Sequence, residues 1–173
     1  MIRVSILVGV VLTPIIVATA YWSAAQASSR AAEVLKVEID SGGRIHITDS
    51  AGKEVIPPED KDQANCSSPK VAQDKHTVGW LAEYANAGNS YPLPLALVIY
   101  RKGKIIQQIS PGQSIWDWQF IKTGSQVAFW IGPTHGEFVP HFELHDVRSG
   151  KLMAQWDGHL EQAHPSWVDG LKE

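Results

Sequence analysis

The chain has 173 residues, 44% of them hydrophobic and 19% charged, with a formal net charge of −3. That balance fits one globular domain of ordinary size and excludes both intrinsic disorder and burial in a membrane along the whole length. Lys and Arg never run beyond two in succession, so the basic stripe of a nucleic-acid binder is missing and no nucleic-acid partner is expected.

The N-terminal segment has three parts. Arg3 supplies a positive charge, residues 6–20 (ILVGVVLTPIIVATA) form an uncharged apolar stretch, and Ala25 and Ala27 place small residues at the −3 and −1 positions of a cleavage site. This pattern predicts a secretory signal peptide over 1–27, hence a periplasmic or secreted protein. The alternative is an uncleaved anchor. The apolar run 4–22 is 19 residues long, enough to cross a bilayer, and would hold the rest of the chain on the outer side of the membrane. Residues 28–36 (SSRAAEVLK) read as a short helix or a leader.

From residue 37 the pattern changes to short runs rich in Val, Ile, Phe, Tyr and Trp, broken by Gly, Pro, Asn and Asp. That predicts an all-β domain of antiparallel strands over 37–173. Three stretches share one form: 44–56, 96–109 and 141–156 each read as a strand, a polar turn ending in Gly-Lys, and a second strand. Gly52, Gly103 and Gly150 serve the turn positions that require positive φ. Between the first two hairpins, 57–76 (PPEDKDQANCSSPKVAQDKH) is polar and reads as a loop, with the lone Cys66 exposed in it. A single cysteine cannot close an internal disulfide, so the fold rests on its core. The units lie near 37–56, 77–109 and 114–157. The last counts four strands, 115–121, 126–131, 140–146 and 151–156, with Trp116 and Trp118 on one face and Asp117 opposite.

The segment WDWQFIKTGSQVAFW followed by FELHDVRSGKLMAQW resembles one blade of a TolB-like, WD-repeat-type β-propeller, through Trp118, Gly124, Val127, Ala128 and Phe129, then Leu144, Asp146, Gly150 and Lys151. HPSWVDG at 164–170 resembles the opening of a further blade. The resemblance implies antiparallel sheets stacked as blades. A closed propeller takes at least four blades and this chain holds about two and a half. The open alternatives are a sandwich or open stack of sheets, an oligomer sharing strand edges or blades with a partner chain, and an edge covered by the leader and the 57–76 segment.

Five of the seven histidines fall between 135 and 164. His135, His141, Glu143, His145 and His159 are the candidate metal ligands, since imidazole and carboxylate suit zinc or copper. Residues 141, 143 and 145 share a strand face. The competing reading makes them the solvent face of a half-buried strand whose Phe142 and Leu144 enter a core. No nucleophile elbow, phosphate loop or His-Glu-x-x-His stands in the chain. The aromatic strands and the loops 86–94 and 132–138 make Tyr91, Trp116, Trp130 and His135 the candidate ligand-binding residues. The expected function is therefore an exported, non-catalytic binding or scaffold module for a protein or small ligand. The alternative is a small metal-dependent enzyme or metal-binding protein built on 135–164.

Overall fold

The computed structural model describes residues 32–86, 88 and 90–172. The expected signal segment and residues 28–31 lie outside the described residues. The described chain is all-β, with no α-helix. Eleven strands form three antiparallel sheets: β1 (Val34–Ile39), β2 (Ile45–Asp49) and β3 (Glu54–Val55) in the first; β4 (Gln63–Val71), β5 (Thr77–Tyr84), β6 (Leu93–Arg101) and β7 (Lys104–Ile109) in the second; β8 (Ser114–Ile121), β9 (Gln126–Gly132), β10 (His141–Asp146) and β11 (Leu152–Asp157) in the third. Each sheet is a meander in which sequence neighbours pair. The Gly-Lys turns close hairpins β2–β3, β6–β7 and β10–β11, with Gly52, Gly103 and Gly150 at φ of 77°, 87° and 69°.

Two apolar clusters layer the sheets. Ile45 and Ile47 of β2 pack with Val78, Trp80 and Ala82 of β5 and with Ala96 and Val98 of β6, joining the first sheet to the second. Leu81, Leu97 and Ile99 pack with Ile115, Trp118, Val127 and Phe129, joining the second to the third. The middle sheet is thus covered on both faces, which is why β5 and β6 read as nearly continuous apolar runs rather than alternating ones. Gly79 of β5 makes the second contact close: a Cβ there would stand 2.6 Å from the far edge of the Trp118 indole.

Four features depart from the sequence expectations. The first sheet opens at Val34, inside the stretch expected as leader. The expected 57–76 loop holds a nine-residue edge strand, β4, and Cys66 is buried on it at 7% exposure, opposite Ala82. At its bulge, with Ser68 at φ 50°, this polar strand meets the third sheet. The Trp118 indole N–H donates to the Ser68 carbonyl at 3.1 Å, and the Lys70 ammonium reaches the Asp117 carboxylate at 3.0 Å and the Trp118 carbonyl. Burial, with Glu59 nearby, pushes the Cys66 thiol up to about 11.

Third, Trp116 and Trp118 do not share a face. A bulge between Ile115 and Asp117 turns Trp118 inward against the middle sheet and Trp116 outward. Fourth, 164–170 opens no further strand. It forms a 3-10 turn, Ser166–Val168, whose Val168 packs with Leu171 on Ala128, Trp130, Phe142 and Leu144. This C-terminal segment covers the outer face of the third sheet. It is pinned by the Trp130 indole N–H donating to the Lys172 carbonyl (2.6 Å) and by the Gln119 amide donating to the Asp169 carbonyl (2.7 Å).

Candidate functional site

Strand β10 carries the histidine-rich row. Its register sets Glu143 opposite Phe129 and His145 opposite Val127, so the row lies on the face that carries the core shared with the middle sheet. It is the polar margin of that core, wet at the His141 end and buried at His145. The His145 residue is 7% exposed, and its ring lies on Phe129 with centroids 5.2 Å apart and planes 19° from parallel. Phe142 and Leu144 point to the opposite face, into the cluster under the C-terminal segment.

Along the row the side chains are tied to one another. His141 Nδ1 donates to Asp157 Oδ1 at 2.6 Å, His141 Nε2 lies 3.5 Å from Glu143 Oε1, and His145 Nε2 donates to Glu143 Oε2 at 2.7 Å. His145 Nδ1 faces the Gly150 carbonyl at 2.9 Å. A carboxylate and a carbonyl both accept, so the two partners together favour the protonated form of the ring. Burial pulls its pKa down, the Glu143 carboxylate and the Gly150 carbonyl raise it, and the net shift is upward. Both ring nitrogens of His145 are turned to protein acceptors within its own hairpin. Among the described residues no group of three His, Cys, Asp or Glu side chains is placed to hold one. His135 is exposed on the 133–140 connection, and His159 stands beyond the end of β11, beside Gly136 and Glu137.

The aromatic candidates separate. Trp116 and Trp130 come together on the outer face of the third sheet, centroids 6.2 Å apart. Trp130 continues to Phe138 (6.2 Å, 23°) and to Phe142 (6.5 Å). Tyr91 stands 51% exposed on the connection between β5 and β6, and the described ring contacts of this face include neither Tyr91 nor His135.

Sequence reasoning missed Phe138, which completes the site. The 133–140 connection folds back so that the Phe138 ring lies on the backbone of Gly132, where a Cβ would meet it at 2.5 Å. Between this connection and the sheet lies an open cleft of about 500 Å³, lined by Trp130, Gly136, Glu137, Phe138, Pro140 and His159. It offers aromatic surface with a carboxylate and an imidazole at its margin. That suits recognition of a group with an apolar face and a polar edge. The available signal was an aromatic residue two positions after Gly136 in a loop following an aromatic strand.

No protein-family model matches the chain, and comparison with curated proteins finds no match.

Proposed function

We propose that this is an exported, non-catalytic binding module, built as an open stack of blade-like sheets and recognising a small ligand or a partner side chain in the Trp130–Phe138 cleft. The observation that carries the reading is that cleft: aromatic walls on a rigid sheet, a glycine-permitted fold of the connection, and two polar side chains at the rim. Its volume is in the range of small-molecule sites. The layering of two four-stranded meanders and a three-stranded one supports the blade-like reading. The polar row on β10 supports a structural role for the histidines, because their hydrogen-bonding capacity is spent on neighbouring carboxylates and a carbonyl.

The test is capture of ligands from glycan and peptide arrays by the full-length protein, alongside Phe138→Ala and Glu137→Gln. The expected result is capture that both variants lose by at least several fold. No capture, or capture indifferent to both substitutions, overturns the site. Chemical turnover of a captured compound overturns the non-catalytic reading. Export is tested separately, by the mass of the protein recovered from its native host: a chain starting at Ser28 marks cleavage, an intact N-terminus in the membrane fraction marks the anchored alternative, and recovery from the cytoplasm overturns export.

A further inference from the structure

A chain with net charge −3 is strongly polarised once folded. Because every sheet is a meander, every second connection lies at the same end. Three contacts bring these ends together. The Val34 N–H donates to the Lys75 carbonyl (2.7 Å), joining the first sheet to the β4–β5 turn. The Gln107 amide donates to the Arg148 carbonyl (2.8 Å), and Gly124 lies against Ala72, joining the second sheet to the third. The turns at this end, residues 49–54, 72–76, 101–104, 122–125 and 146–151, with Glu33 just ahead of β1, hold eight Lys and Arg against three Asp and two Glu. At the other end, the connections 40–44, 56–62, 133–140 and the segment 157–163 hold seven carboxylates against Arg44 and Lys61.

The three aspartates at the basic end serve the backbone. Asp49 accepts from the Ala51 and Lys53 N–H groups, Asp74 from those of His76 and Thr77, and Asp146 from that of Ser149. Of the eight cations, Lys75 pairs with Glu33 and Arg101 with Asp74. Lys53, Lys102, Lys104, Lys122, Arg148 and Lys151 are exposed and make no salt bridge among the described residues. Between two of the turns lies an open trough of about 550 Å³ lined by Arg101, Lys102, Lys104, Ile105, Ile106 and Arg148.

We infer that this turn end docks on an anionic lipid surface. The charge supplies the attraction, since clustered cations are drawn to the negative potential of acidic headgroups within about a Debye length, roughly 10 Å at 0.1 M salt. Chain order supplies the choice of a membrane. β1 begins at this same end, and the apolar run 4–22 precedes it by eleven residues, a tether of at most about 40 Å when extended. An anchored chain therefore joins its sheets at the basic end. The inference rests on the proposal of export and sharpens its anchored form; it does not depend on the Trp130–Phe138 cleft.

The test uses the full chain with vesicles of phosphatidylcholine alone or mixed with phosphatidylglycerol. A fluorophore sits on Ser50→Cys at the turn end, or on Ser110→Cys at the other end, with headgroup-labelled lipid as quencher. Cys66 is buried and stays unlabelled. The expected result is quenching at Ser50 several-fold stronger on the anionic vesicles, reversed by about 0.5 M salt, with Ser110 unaffected. The triple variant Lys102→Glu, Lys104→Glu, Arg148→Glu abolishes the difference. If that variant misfolds by circular dichroism, the single variants Lys102→Gln and Arg148→Gln each weaken it. Equal quenching on neutral and anionic vesicles, or quenching at Ser110, overturns the inference. So does salt-sensitive self-association without lipid that the same charge reversal removes, because the occupant is then the acidic end of a second copy. Recovery of the native protein from the cytoplasm overturns export while leaving the vesicle measurement as a distinguishable result.

Discussion

The imidazole of His145 lies flat on the ring of Phe129, and its two nitrogens bond in opposite directions, to the Glu143 carboxylate and the Gly150 carbonyl. One side chain thus ties the margin of the core to its own strand and to the β10–β11 turn. The arrangement holds a proton that the unfolded chain gives up more readily.

The pH dependence follows in sign. His145 has a folded pKa above the unfolded value of 6.5, so its contribution is fully present below that value and is lost as the pH rises through the folded one. Urea midpoints are expected to fall as the pH is raised from about 5.5 to 8.5. His46, held between Glu54 and Asp40, and His164, held by the Gln162 carbonyl and Asp169, are raised as well and add to the fall. Glu143→Gln removes the charge that counters burial at His145. In that variant the fall is expected to be smaller, and an unchanged slope would show that the Glu143–His145 pair is not linked to folding.

The contact between the second and third sheets is set by Gly79. Gly79→Ala drives a methyl group into the Trp118 indole and to 3.1 Å from Ile99 Cδ1, both in a packed core. Overpacking of this kind costs about 1–3 kcal/mol, to be read from denaturant unfolding. A neutral substitution would mean that the two sheets separate more easily than their packing implies.

The Trp118 side chain is fully buried and its indole N–H donates one hydrogen bond, so two substitutions divide its role. Trp118→Ala is expected to lose about 3–5 kcal/mol by leaving a cavity. Trp118→Phe retains much of the apolar volume and leaves the Ser68 carbonyl without its indole donor; its loss is expected to be clearly smaller. Equal losses would mean that volume is not what Trp118 supplies.

Cys66 gives a direct test of strand β4. With its thiol pushed from 9.0 to about 11, the native protein holds roughly a hundredfold less thiolate at pH 8 than the unfolded chain. Alkylation by iodoacetamide is expected to be slow in buffer and fast in urea. Rapid labelling of the native protein would return residues 63–71 to the loop that their composition suggests.

The legible parts of the fold were those where apolar and polar residues alternate between glycine-bearing turns. The hairpins at Gly52, Gly103 and Gly150 and the four strands from Ser114 to Asp157 follow from that rule. Strand β4 was hidden because Asn65, Ser67 and Ser68 carry no apolar alternation, and the Ser68 carbonyl and the Lys70 ammonium reach bonding partners that only the folded chain brings near. The Trp116–Trp118 faces were hidden by a bulge, which reverses two-residue periodicity without leaving a trace in composition. The β10 row was correctly separated from Phe142 and Leu144, yet the burial of His145 depends on Phe129 of the neighbouring strand. The basic end was invisible for a similar reason: its charges are scattered along the sequence and gather only because each meander returns to the same side.

The aromatic face of the third sheet and its cover are separate in the chain. β11 ends at Asp157, and Val168 and Leu171, which lie over Trp130 and Phe142, come only afterwards. A nonsense codon between these two points would keep all the described strands and leave that face bare and adhesive, turning a late truncation into an aggregating product.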